Sequence, residues 1–323
     1  MTAPVLPTIA DVRAAVRRLN GIAVRTPLLP APVLQRLLGR PVFVKAETLQ
    51  LTGSFKFRGA WNRIAAMTAA ERAPGVVAFS SGNHAQGVAA AAHLHGVAAA
   101  IVMPSDAPRV KVDGTRAWGG EVHFYDRARE SREAMAAHLA AERGAIVIPA
   151  FDDPHVIAGQ GTAGLEIAVA VAARGLRLGA VVTPVGGGGL ASGLALALEA
   201  AAPDARLYGA EPEGFDDLRR SLAAGRIVAN EARSGSIQDA LLSPSVCRRT
   251  FAILRPRMAA CVAVSDDEAR SAMAWAALHL KLVTEPGGAA ALAAVLSGHI
   301  PAGEDALVIV LSGGNTDAVT TTS

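Results

Sequence analysis

The chain has 323 residues, 51% of them hydrophobic and 18% charged, with a formal net charge of +3. These values exclude a disordered chain and a staple-dependent mini-protein, and leave room for one large or two intimate domains around a pocket. Basic residues are scattered among acids, with no basic arm or aromatic ladder and no charge-free apolar run long enough for a bilayer, so neither nucleic acid nor membrane is expected as a partner.

The amino terminus, Met1-Thr2-Ala3-Pro4, lacks the basic-then-apolar layout of a secretory signal, and Cys247 and Cys261 have no metal-type spacing, so a cytoplasmic location is expected. Thr8 stands three before Asp11, a capping-box spacing that opens a first helix. Apolar runs then alternate with Ala-rich helical stretches: Val42–Val44, Gly75–Phe79, Ala100–Met103, Ala145–Ile148, Ala180–Thr183, Leu207–Ala210 and Ala306–Leu311. Ser265 and Glu268 repeat the capping spacing before the last of these runs. The pattern predicts a doubly wound α/β fold with mostly parallel sheets. Ligands in such folds sit beyond the carboxyl ends of strands, so the loops after the apolar runs are the ones to read.

Four loops stand out. Leu49 to Gly59 carries Lys56 between a strand and a helix, where the helix dipole and partial burial disfavour the ammonium and leave a nucleophilic amine fit for Schiff-base chemistry. Of the four lysines, Lys45, Lys56, Lys111 and Lys281, only Lys56 stands in a small-residue loop; the plain alternative is a helix-start lysine facing solvent. Ser80-Ser81-Gly82-Asn83-His84 offers amides and polar side chains to a carboxylate or other anion, or else merely caps a helix. Gly186, Gly187, Gly188 and Gly189 join a strand to a helix and suit a phosphate, without the ending of a Walker loop or the spacing of a dinucleotide fingerprint. The alternative there is a flexible turn. Ser312-Gly313-Gly314-Asn315 is a further ligand loop or the chain turning outward.

Together with Lys45 to Ala60, Ser80 to Gly87, Ile157 to Thr162 and Glu285-Pro286-Gly287-Gly288-Ala289, these loops resemble the fold type II pyridoxal-phosphate family of threonine/serine dehydratases and serine racemases, over nearly the whole chain. The resemblance implies two interleaved doubly wound domains, a large cofactor domain from residues 1–74 and 152–323 and a small domain from 75–151 that closes over the substrate. It implies pyridoxal 5′-phosphate held as a Schiff base on Lys56, which also shuttles the α-proton. Gly186 to Gly189 match the phosphate loop, Phe55 the residue against the ring, Asn83 the partner of the phenolic oxygen and Ser312 the hydroxyl facing the pyridine nitrogen. A neutral Ser312 makes the ring a weaker electron sink than an Asp would, which suits elimination.

The substrate carboxylate is expected on Ser80, Ser81, Asn83 and His84. Arg132 matches an arginine that faces the substrate in serine racemases, although Glu130 and Glu133 beside it fit a solvated ion-pair residue as well. Glu211, the Phe215 carbonyl and Asp217 match the family's divalent-cation site, for Mg2+ or Mn2+; the alternative is an acidic loop. The implied activity is dehydration of a β-hydroxy-α-amino acid such as L-threonine or L-serine to a 2-oxo acid and ammonia, by a homodimer acting on small molecules.

Two positions depart from the dehydratase pattern. Ser81 replaces a frequent Ala and is the residue serine racemases and hydroxyaspartate dehydratases use on the ring face opposite the lysine, so those two activities stand as alternatives. Ala240 follows Asp239 where the family usually has Gly, placing a methyl group near the pocket. Cysteine synthases read Thr-Ser-Gly-Asn-Thr in place of Ser80 to His84. The sequence ends soon after Asn315, so feedback control through a C-terminal sensing domain is not expected.

Overall fold

The computed structural model describes residues 4–232 and 234–317. Among the described residues ten strands form two sheets: β1 (Leu28–Pro30), β2 (Val42–Ala46), β3 (Val76–Phe79), β4 (Ala99–Pro104), β5 (Glu121–Tyr125), β6 (Ile146–Val147), β7 (Leu178–Pro184), β8 (Arg206–Pro212), β9 (Met258–Val264) and β10 (Ala306–Leu311). One sheet has the order β1-β2-β10-β7-β8-β9 and the other β5-β4-β3-β6. Every pairing between these strands is parallel except β1 with β2. The mostly parallel α/β architecture follows from the seven apolar runs, which form β2, β3, β4, β6, β7, β8 and β10.

The three unforeseen strands all lie at sheet edges. An edge strand is covered on fewer sides and so needs no continuous apolar run. Thus β5 exposes Glu121 and Phe124, β9 exposes Ala259 and Ala260, and β1 is three residues ending in Pro30.

Both predicted capping boxes form, Thr8 with Asp11 and Ser265 with Glu268. The helix Pro154–Ala172 is long and apolar enough to cross a membrane by length and composition, but 67% of that stretch is buried in the protein. It packs on the helices Ile9–Leu19, Lys56–Ala65 and Gly189–Ala201. Glycine makes these crossings close: a Cβ on Gly161 would lie 2.8 Å from the Gly193 carbonyl oxygen, and one on Gly59 2.4 Å from the Gln160 side chain. The Ile157 to Thr162 motif is therefore a helix-packing device.

Beneath the helix Lys56–Ala65 lies a buried ion cluster. Arg58 donates to Glu47 at 2.8 and 2.9 Å and to Glu166 at 2.7 and 2.9 Å, and Lys45 also pairs with Glu166. Burial alone would raise the Glu47 carboxyl, but Arg58 and Lys45 overcome it and hold it below its ordinary value. Removing one partner would strand a buried charge. The cluster thus fixes the helix that begins at Lys56 to β2 and to the Pro154–Ala172 helix.

Candidate active site

The loops singled out above converge beyond the carboxyl ends of β3, β7 and β10 on a cavity of about 990 Å³, its open mouth included. Phe55, Lys56, Ser80, Ser81, Asn83, His84, Arg132, Ser312 and all four glycines of the Gly186–Gly189 loop line it.

Lys56 is the first residue of its helix. The preceding loop is zipped to the one after β10: Phe55 N–H donates to the Ser312 carbonyl at 3.0 Å, Gly314 N–H to the Gly53 carbonyl at 2.9 Å, and Ser54 bridges Gly313. Lys56 Nζ donates to the Ala150 carbonyl at 3.1 Å and stands 5.1 Å from the centre of the Phe55 ring. Burial pushes this half-buried amine down to about 8, with Glu285 opposing the shift. It is therefore not a lysine extended into solvent.

The Ser80–His84 loop leads into the helix Asn83–Leu94, and no side chain caps that helix. Ser80 instead accepts the Gly82 N–H at 3.1 Å, within the loop. Asn83 donates to Glu285 and accepts from Asn315 at 2.9 Å, leaving one amide N–H for another partner. His84 Nε2 lies 2.8 Å from the Ile148 carbonyl oxygen, which can only accept, so this nitrogen carries the proton. Burial, with the Lys56 charge, pushes the ring down to about 3, and the neutral ring keeps a buried, unpartnered Nδ1 lone pair. That atom suits a donor on a ligand.

The glycine loop is held rather than slack. Gly188 has φ of 83°, and the helix Gly189–Ala201 starts immediately after it. A Cβ on Gly187 would lie 2.3 Å from the Phe151 ring, one on Gly189 2.9 Å from Phe151 Cβ, and one on Gly186 3.1 Å from Leu241 Cα. Amides followed by a thirteen-residue helix form an anion site that side chains cannot enter.

A profile of the family described as "Pyridoxal-phosphate dependent enzyme" matches residues 20–313. The chain belongs to that family. It is 43% identical to an L-threo-3-hydroxyaspartate ammonia-lyase of Pseudomonas sp, covering 95% of each chain. It is 39% identical to a serine racemase of Schizosaccharomyces pombe, over 97% of this chain and 95% of that one. Among solved structures, a maize serine racemase is 36% identical, with a TM-score of 0.93, over 98% of this chain and 96% of that one. The protein is thus a pyridoxal-phosphate enzyme of the ammonia-lyase and amino-acid racemase group.

The cavity fits that cofactor: a poised primary amine, an anion cradle at a helix start, and Ser312 at 6% exposure all line it. Arg132 reaches the cavity while also serving as the ion-pair residue its neighbours suggested. Its guanidinium lies 5.5 Å from the centre of the Phe79 ring and bonds Glu133 at 2.9 Å. The Ala240 methyl lies at the cavity wall beside Gly287.

Sequence reasoning missed Phe151, Lys111, Asp239 and Ser243, which also line this pyridoxal-phosphate enzyme's cavity. Lys111 had a signal, since it is one of only four lysines, but nothing local marks it. Asp239 had one too, standing next to Ala240, whereas Phe151 and Ser243 reach the cavity only through long-range packing.

Glu211, Phe215 and Asp217 lie outside the cavity, at the end of β8. Glu211 accepts the Leu218 and Arg219 amides at 3.0 and 2.9 Å, and Asp217 accepts from Asn230 at 2.9 Å and Val246 N–H at 2.7 Å. Burial and then the Asp217 charge push Glu211 up to about 8, and burial pushes Asp217 up to about 6. Among the described residues no group of three or more His, Cys, Asp or Glu could hold a metal.

Proposed function

We propose that this enzyme is an ammonia-lyase that converts a 2-amino-3-hydroxy acid to a 2-oxo acid and ammonia. The observation that carries the reading is the half-buried Lys56 amine, poised at about 8, in one cavity with the Ser80–His84 loop and a neutral Ser312. Lys56 would hold the cofactor aldehyde, the amides of Gly186 to Gly189 its phosphate, Asn83 its phenolic oxygen and Ser312 its ring nitrogen, with Phe55 against its face. Bound pyridoxal phosphate supplies an electron-withdrawing ring that stabilises negative charge at the substrate α-carbon. Once the substrate amine has displaced it from the aldehyde, Lys56 Nζ would take the α-proton and pass it to the β-hydroxyl, which leaves as water. The released enamine tautomerises, and a water hydrolyses it to the 2-oxo acid and ammonia. Ser80, Ser81 and the Asn83 amide orient the carboxylate, while neutral His84 adds no charge to the site. Residues 75–151 form the lobe that closes over the substrate, and the rest of the chain holds the cofactor.

Within this class 3-hydroxyaspartate is the substrate we favour. Arg132 places a guanidinium at the cavity, and a second substrate carboxylate is the group it would bind best. Ser81, which also lines the cavity, supports racemisation as a second reading, through a hydroxyl that would return the proton from the side away from Lys56. We assign Glu211, Asp217 and the Phe215 carbonyl to one Mg2+ or Mn2+ completed by water, since a cation would relieve the two raised carboxyls. The test is to incubate the holoenzyme with L-threonine, L-serine, D-serine and the 3-hydroxyaspartate stereoisomers, and to measure 2-oxo acid, ammonia and residual chirality. Release of 2-oxo acid supports the lyase; an enantiomer without 2-oxo acid overturns it in favour of the racemase.

A further inference from the structure

Gly82 has φ of −173° and ψ of −105°, so no left-handed φ demands glycine there. Contact does: a Cβ would lie 2.2 Å from Lys111 Cδ and 3.1 Å from its Cε. The buried stem of Lys111 runs directly beneath the Ser80–Asn83 loop. Lys111 belongs to the helix Arg109–Ala117, between β4 and β5 of the four-stranded sheet. Its ammonium reaches across to the other sheet's connections, 2.8 and 3.1 Å from the Asp239 carboxylate and 2.9 Å from Glu285 Oε2.

Each acid is tied to the cavity. Asp239 begins the segment through Ser243 that forms one wall, and Glu285 accepts from Asn83, which in turn bonds Asn315. Two carboxylates facing one ammonium leave this triad no net positive charge for a substrate carboxylate. Its three donors are directed at acids rather than at the cavity. A role as a second catalytic amine or as the substrate's cation is thereby disfavoured.

We infer that Lys111 is a positioning residue, an interlobe strut whose pairing with Asp239 holds the Asp239–Ser243 wall against the Ser80–Asn83 loop and so sets substrate affinity. The inference rests on the proposed assignment of that loop to the substrate, whichever hydroxy amino acid it is. When the pair breaks, the two lobes lose a charge-assisted tie while Lys56 and the glycine loop keep their own supports. The effect should therefore fall on KM rather than on kcat.

The experiment compares Asp239→Asn, Lys111→Met and Lys111→Arg holoenzymes by steady-state kinetics on the best substrate of the panel, and by hydrogen exchange across residues 80–83 and 239–243. Asp239→Asn keeps the test decisive if Lys111→Met, which strands buried Glu285, does not fold. Expected for Asp239→Asn are a KM raised about tenfold, a kcat within about threefold and faster exchange in both segments. Lys111→Arg should restore most of the affinity that Lys111→Met loses. A KM within about twofold of the parent, or a fall in kcat at constant KM, overturns the inference. If the parent enzyme turns over no member of the panel, the function reading has failed instead, and exchange alone decides: faster exchange supports the strut, and unchanged exchange overturns it.

Discussion

Gly159 passes so close to Arg58 that a Cβ on it would lie 2.5 Å from the Arg58 carbonyl oxygen and 2.7 Å from Gly59 Cα. Both are backbone atoms, so no rotamer change relieves the contact. Gly159→Ala would gain roughly 1 kcal/mol in helix propensity but incur overpacking of about 1–3 kcal/mol, at the upper end here. The overpacking wins. We expect a lower thermal midpoint, weaker cofactor retention and a displaced Lys56, checked by thermal unfolding with and without pyridoxal phosphate.

The state of Lys56 has a pH signature. With its pKa near 8, roughly a tenth of the amines are neutral at pH 7, against one in a few thousand for an ordinary lysine. Deprotonation creates the nucleophile, so cofactor capture by the apoenzyme should quicken as pH rises and level off above about 8. A stopped-flow pH series of cofactor absorbance checks this. A rate still climbing at pH 10 would show an unperturbed lysine.

How much of this was legible in sequence differs between elements. The central strands announced themselves as apolar runs because burial on both faces leaves no room for polar residues. The edge strands β1, β5 and β9 did not, for the opposite reason. The site loops were readable because each combines unusual residue types with a position just after a strand. The pairing of Lys111 with Asp239 was not, since 128 residues separate them and only the packing of one lobe on the other brings them together. Phe151 was hidden likewise: its meaning lies in the glycines it covers, which belong to a different loop.

Arg132 tests substrate choice. Its replacement in Arg132→Met removes the one cation we assign to a second carboxylate, while its stack on Phe79 is kept in part by the Met side chain. We expect kcat/KM for 3-hydroxyaspartate to fall about tenfold or more, with the value for serine changing less than about threefold. Equal losses on both substrates would place Arg132 on a carboxylate common to the two.

The cation assignment is tested by adding Mg2+ or Mn2+ to chelator-treated protein. Two carboxyls raised to about 8 and about 6 should give up protons to the metal, so binding should tighten as pH rises from 6 to 8. A thermal shift that grows over this range, and that is lost in Asp217→Asn, is the expected result. A shift independent of pH and of Asp217 would place the cation elsewhere.

Everything proposed for the cavity depends on which amine holds the cofactor. Borohydride reduction of the holoenzyme followed by peptide mapping measures this directly. We predict one pyridoxyl group per chain, on the peptide containing Lys56, and none in Lys56→Ala. A label on Lys111 or another lysine, or no label on the reduced parent, would contradict the account.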